Sequence, residues 1–224
     1  LETIVLMADL EDLKANPTAE ASGSVIESRL DPGRGAVVSV LVQRGCLKIG
    51  DSVAAGPHCG RVRAMLDHTG ERVEKALPGE PVEVLGFDTV PDAGEFVQVH
   101  ENDRAARDAA RERANRLKTE ALARQSSRRI SLDSLFAGEV QELNVVLKGD
   151  VAGSIEAIED EIAKLPQTEI QVRVIHKGVG GINESDVMLA AASGAVIFGF
   201  NVRPIGDARA VADREGVEIR TYSV

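Results

Sequence analysis

Apolar positions change period along the chain, and each change predicts a different kind of structure. At the start, Leu1, Ile4, Val5 and Ala8 fall at helical spacing, and Asn16-Pro17 predicts the stop. From Gly23 the texture becomes that of short strands. Val25-Ile26-Glu27-Ser28 and Ala36–Val42 flank Asp31-Pro32-Gly33-Arg34-Gly35. Pro at the second turn position and Gly at the third predict a hairpin closed by a type II turn. Further strands are expected around Ser52–Ala55, Gly60–Leu66, Pro81–Leu85 and Glu95–Val99. Gly45, Gly50-Asp51, Gly56-Pro57, Thr69-Gly70, Pro78-Gly79 and Pro91-Asp92 punctuate them. Many short strands with Gly/Pro turns predict a closed barrel or a sandwich.

From Asp103 to about Ala123 the chain is rich in Ala, Arg and Glu, all strong helix formers. Few large apolar residues interrupt them, so this reads as an exposed linker helix, broken by Gln125-Ser126-Ser127. With so little to bury along it, the units on either side are expected to unfold separately.

The remainder alternates strand and helix. Strands are predicted at Leu143–Lys148, Ile170–His176, Val196–Gly199 and Val217–Arg220. Helices are predicted at Gly153–Lys164, about Glu184 to Ala192, and Asp207–Glu215. The first helix carries Ile155, Ile158, Ile162 and Leu165 on one face. A β-α-β-α-β-α-β order predicts a three-layer α/β domain with a four-stranded parallel sheet and right-handed crossovers. Val145-Val146-Leu147 and Val196-Ile197-Phe198 suit strands buried on both faces.

Composition narrows the function. Aromatic residues are 3% of the chain, so its cores must be built from Val, Ile, Leu and Ala. No apolar run approaches the roughly 18 residues that span a bilayer, and the N-terminus has no basic signal-peptide region. No membrane partner is therefore expected. Cys46 and Cys59 lack metal-ligand spacing and read as reduced thiols in a cytoplasm, with a single disulfide as the alternative. No zinc site can be assembled from this pair and the 4 His.

The net charge of −10 argues against a protein that coats nucleic acid, but the average hides an asymmetry. Residues 1–100 carry 9 Lys/Arg against 16 Asp/Glu, residues 101–131 carry 9 against 5, and residues 132–224 carry 8 against 15. Only the middle segment is basic. Any RNA contact must therefore be local.

Several motifs together resemble bacterial translation initiation factor two. Gly23-x-Val25, Gly33-x-Gly35 and Gly45-x-Leu47-x-x-Gly50-Asp51 are similar to the barrel domain shared by translational GTPases. Five later blocks resemble the α/β domain that follows it in that factor. They are Leu143–Lys148, Gly153-Ser154-Ile155-Glu156-Ala157, His176–Gly180, Asn183-Glu184-Ser185-Asp186-Val187 and Gly199-Phe200-Asn201-Val202-Arg203-Pro204. The resemblance covers the whole chain. It implies residues 1–16 as the terminal helix of a GTPase domain, 17–100 as a translational-GTPase-type β-barrel, 101–131 as a basic linker helix and 132–224 as the α/β domain.

The family's GTPase motifs are absent here: neither Gly-x-x-x-x-Gly-Lys-[Ser/Thr] nor Asn-Lys-x-Asp occurs in the sequence. The resemblance therefore implies a non-catalytic piece without a cofactor of its own, with GTP and magnesium held only by the missing GTPase domain. It further implies a monomer that docks on the small ribosomal subunit and its RNA. Initiator tRNA would be met only through the missing C-terminal domain.

The residues offer three candidate sites. Arg104, Arg107, Arg111 and Lys118 lie near one stripe of the linker helix, followed by Arg128-Arg129. Guanidinium groups at turn spacing can track an RNA backbone. The alternative is a solvated helix laced with pairs such as Glu112–Arg116 and Glu120–Arg124. In the barrel, Arg34 at a hairpin tip, with Arg44, Lys48, Arg61 and Arg63 on or beside strands, are candidates for ribosomal RNA because the family's barrel rests on it. Scattered surface charge is the alternative.

The third candidate is His176 with the turn Gly178-Val179-Gly180-Gly181. Such a turn between strand and helix can hold phosphate or merely supply positive φ. Asn183 as N-cap, with Glu184 and Asp186 in the first turn, favours the structural reading, because two acids occupy the niche a phosphate would need. A second function class is a small-molecule-binding or enzymatic α/β domain with an accessory barrel, for which Asp150 and His176 form a conceivable acid–base pair.

Overall fold

The computed structural model describes residues 2–11, 14–127, 141–166 and 170–223. Helix α1 spans Glu2–Leu10, ending earlier than Asn16-Pro17 suggests. Its Ile4, Val5, Leu6, Met7 and Leu10 are all exposed.

Nine strands follow: β1 (Ser22–Asp31), β2 (Gly35–Arg44), β3 (Leu47–Lys48), β4 (Ser52–Ala55), β5 (His58–Leu66), β6 (Arg72–Val73), β7 (Lys75–Ala76), β8 (Pro81–Phe87) and β9 (Phe96–His100). Pairing runs β4-β9-β1-β2-β8-β5, and β5 pairs back onto β4, so these strands form a closed antiparallel barrel. Closure removes free edges. Val25, Val38, Val40, Val53, Val62, Met65 and Val84 fill the interior, as the scarcity of aromatics requires.

The β1–β2 turn departs from the type II expectation. Gly33 does not take a positive φ, whereas Gly35 does, at 77°. Asp31 pairs with Gly35, leaving a three-residue loop, and the Asp31 carboxylate accepts from the backbone N–H groups of Gly33 and Arg34. The left-handed residue therefore follows the loop, as in three-residue hairpins with a glycine bulge. The Asp31 side chain supplies the order that Pro32-Gly33 was expected to supply.

Helix α2 runs Asp103–Ser127, continuing through the Gln125–Ser127 segment that was expected to break it. Asn102 Oδ1 accepts from Ala105 N at 2.9 Å and caps the start. The helix is not exposed throughout. Ala106 and Ala110 are buried, packed where the first turns lie on β4, β5 and β9. Methyl-sized side chains let a helix approach a barrel closely, which a search for large apolar residues overlooks. Of the two expected ion pairs on the helix, Arg116 pairs with Glu120 rather than Glu112, and the side chain of Arg124 lies outside the described residues.

The α/β unit comprises β10 (Gln141–Gly149), α3 (Ala152–Lys164), β11 (Ile170–Val179), α4 (Glu184–Ser193), β12 (Val196–Phe200), α5 (Ala208–Glu215) and β13 (Ile219–Tyr222). Its four strands are parallel in the order β11-β10-β12-β13. Val146, Ile182, Val187, Ala190, Ile197, Ala208 and Ala212 form its core under α4 and α5. Helix α3 covers the other face incompletely. Of its predicted apolar stripe only Ile155 is buried, and Leu165 is 54% exposed. For the same reason Val145-Val146-Leu147 is buried on both faces, but in Val196-Ile197-Phe198 only Ile197 is. Phe198 instead lies 6.0 Å from the Tyr222 ring, centroid to centroid.

The β1–β2 hairpin reaches the α/β unit. Arg29 bridges to Val151, and the side chain of Leu30 faces Gly180.

Candidate nucleic-acid interface

The eight basic candidates do not form one surface. Arg34 folds back on its own turn, its Nε and Nη2 lying 3.2 and 3.1 Å from Asp31 Oδ2. The Gly33 N–H first, and then that of Arg34 with its guanidinium, hold the Asp31 carboxyl below its ordinary value. Arg44 is exposed at the end of β2, and Arg63 is exposed on β5.

The others gather at the seam between barrel and α2. Lys48 opens the turn to Asp51, and the Gly50 carbonyl in that turn accepts from Arg61 Nε at 3.0 Å. Arg61 also lies 4.0 Å from Asp103 Oδ1, at the start of α2. Arg104 shares with Arg61 a shallow cleft whose lining also holds three acids, Asp51, Glu101 and Asp103, with Gly50, Ser52 and His100. Arg107 and Arg111 continue along the exposed side of the helix. Arg104 is 92% exposed and only 3.9 Å from Asp108, an arrangement that leaves its guanidinium open to another anion.

Asp103 organises this seam, a role that helix propensity did not reveal. It accepts a hydrogen bond from Ser52 Oγ. That bond is the main cause of its lowered pKa, with the charges of Arg61 and Arg107 adding to it. An acid at a helix start reads as ordinary dipole compensation. Its tie to a strand fifty-one residues away becomes visible only when the barrel closes.

Lys118 is also exposed, a further two turns along α2. Arg128-Arg129 lie outside the described residues.

The glycine turn after β11 is built around a carboxylate. Gly180 has φ 101°, whereas Gly178 and Gly181 do not take positive φ. Asn183 caps α4, accepting from Asp186 N while Asp186 accepts from Asn183 N, a reciprocal capping box. Asp186 also pairs with Lys148 at 3.1 Å. His176 approaches the same carboxylate at 3.8 Å and is not placed with Asp150. Asp150 is occupied elsewhere, accepting from Ser154 Oγ and Asn201 Nδ2 at 3.1 and 3.2 Å. The acid–base pair considered from sequence is therefore not assembled. Lys148 was the available signal for the buried pair. A lysine closing the run Val145–Leu147 needs a carboxylate if it is buried.

Cys46 and Cys59 are both free. Among the described residues no cluster of His, Cys, Asp and Glu could hold a metal ion, and no helix is long and apolar enough to cross a membrane.

Comparison with known proteins agrees with this architecture. Residues 118–224 match the family model for translation-initiation factor 2, and residues 20–100 match that for elongation factor G domain 2. The translation initiation factor IF-2 of Rubrobacter xylanophilus is 54% identical over the whole chain, which covers 33% of that protein. Its counterpart from Halothermothrix orenii is 52% identical, again over 100% of this chain and 33% of its own length. A solved structure of GDP-bound aIF5B from Aeropyrum pernix aligns with a TM-score of 0.48 and 24% identity, covering 100% of this chain and 38% of that one. The chain thus spans about a third of the length of these curated relatives. Barrel, helix and parallel α/β unit, in this order and at this identity, place the chain in the translation initiation factor IF-2 family.

Proposed function

We propose that this chain is a docking and relay segment: the seam between barrel and α2 contacts RNA of the small ribosomal subunit, and the α/β unit passes changes in the state of a GTPase domain towards an initiator-tRNA-binding end. The observation that carries the reading is the convergence of Arg61 and Arg104 on one cleft where α2 leaves the barrel, continued along the exposed side of that helix by Arg107 and Arg111, in a chain whose net charge is −10. In such a chain a basic strip is the place where a polyanion can be met. On this reading the chain's own role is not catalytic, and GTP with its magnesium is held by another domain, in keeping with a sequence in which the phosphate loop and base-recognition motifs do not occur.

Co-sedimentation with purified small subunits tests the reading. Binding should be weak and fall steeply with salt, by about 0.7–0.9 of a logarithmic unit per phosphate contact for each tenfold rise in salt. Reversing Arg104, Arg107 and Arg111 to Glu should weaken it at least tenfold. Undiminished binding by that variant at low salt would refute a role for the helix in docking.

A further inference from the structure

We propose that the cleft lined by Arg203 and Arg209, between α5 and β13, binds the phosphodiester backbone of RNA. This goes beyond the barrel seam, although the choice of RNA as the polyanion rests on the docking function proposed above.

Accounting for positive charge leads to this cleft. Residues 132–224 carry 8 Lys/Arg against 15 Asp/Glu, so cations there have carboxylates in excess. Six of the eight are paired. Lys148 meets Asp186, Lys164 meets Glu161, Arg173 meets Glu142, Lys177 meets Glu159, Arg214 meets Glu215 and Arg220 meets Glu218. Arg203 and Arg209 make no ion pair among the described residues. Both are exposed, and both line one cleft of about 450 Å³. In an acid-rich unit, two guanidiniums that share one concavity and have no ion pair among the described residues stand apart from their fellow cations.

The cleft's other walls suit a nucleotide chain. Pro204, Val217, Ile219 and Thr221 line the cleft together with the two arginines. Planar guanidinium groups match phosphate oxygens with two parallel N–H bonds. Helix α5 has no acid in its first turn, and its N-cap Asp207 makes no side-chain cap bond. Asp213 lies on the rim four residues from Arg209 but forms no ion pair with it. That repulsion limits the site to weak, salt-sensitive binding. An acidic peptide could also satisfy the guanidiniums, but the docking function proposed above and the match of two planar guanidiniums to phosphate oxygens favour a sugar-phosphate chain.

The test is a titration of the 224-residue chain with a mixed-sequence single-stranded 12-mer RNA at low salt, read on arginine side-chain Nε–H signals by NMR. The signals of Arg203 and Arg209 should move, while those of Arg214 and Arg220 stay in place. The double variant Arg203→Gln/Arg209→Gln should bind about three- to tenfold more weakly, with a salt slope lowered by about one to two phosphate contacts. Arg203→Lys/Arg209→Lys should keep most of the affinity, and Arg214→Gln all of it. Because both arginines are exposed, denaturation midpoints should not change.

Stationary Arg203 and Arg209 signals would overturn the proposal, as would unchanged affinity and slope in the double Gln variant. So would a glutamate-rich peptide that moved these signals at lower concentration than the RNA. A chain that fails to bind small subunits while these signals still move with RNA would contradict the docking function alone.

Discussion

The Nζ of Lys148 lies 3.1 Å from Asp186 Oδ2, and both side chains are buried, at 7% and 5% exposure. This pair ties β10 to the first turn of α4, where Asp186 also closes the capping box with Asn183. A buried pair gains little over an apolar replacement, but an abandoned member of one is costly. Lys148→Met should therefore destabilise the chain by about 3–5 kcal/mol. Adding Asp186→Asn should recover part of that loss, because no buried charge is then left alone. Urea denaturation of the single and double variants measures both; a double variant no more stable than Lys148→Met would contradict this account.

Gly180 is expected to tolerate no side chain. Its φ of 101° is strained for any L residue, and an added Cβ would sit 3.2 Å from the Leu30 side chain of the barrel hairpin. Gly180→Ala should cost about 1 kcal/mol or more in thermal or chemical unfolding. Leu30→Ala in the same chain should relieve only the contact and leave the backbone penalty. Full restoration by that second change would show that crowding, not backbone conformation, sets the requirement.

Asp103 makes the seam sensitive to acid. Its folded pKa is lowered from an ordinary 3.8, chiefly by the Ser52 hydroxyl. The stabilisation is thus present above pH 3.8 and is lost as pH falls towards the lower folded value. Asp103→Asn should flatten the decline in stability in that window while leaving the pH 5–7 region parallel to the parent. An equally steep acid decline in the variant would contradict this assignment.

Cys59 should be a slow thiol. Burial pushes its pKa up, and the neighbouring Asp88 carboxylate pushes it further. At neutral pH less thiolate is available to react. Asp88→Asn should raise the alkylation rate of Cys59, located by peptide mapping, by about two- to fivefold. A rate unaffected by the change would remove Asp88 from the explanation.

The strands and helices that carry regular periods were legible in the sequence, and so was the parallel order of the last four strands. The apolar runs Ala36–Val42 and Val145–Leu147 state their burial directly. What escaped were features settled by distant partners. Two-residue strands such as β3 and β7 are too short to show a period, and they exist because Leu47 and Lys48 pair with Ala76 and Lys75. Ala106 and Ala110 gave no sign of burial because alanine is equally at home on an exposed helix. The stripe on α3 was real as a pattern, but the sheet beneath it covers only part of it. Among the basic candidates, residue type did not reveal that Arg34 is engaged by Asp31, or that Arg61 and Arg104 converge. Arg203 and Arg209 were missed because only the pairing of their six fellow cations distinguishes them.

The most direct test of the central claim is hydroxyl-radical footprinting of small-subunit RNA at low salt. It compares the chain with a variant carrying Gln at Arg61, Arg104 and Arg107, and with one carrying Gln at Arg34 and Arg44. Docking through the seam predicts a compact set of protected nucleotides for the parent chain. The set should be kept by the Arg34/Arg44 variant and lost or sharply weakened by the seam variant, with both variants folded by circular dichroism. The same protection from all three proteins, or none from the parent chain, would contradict it.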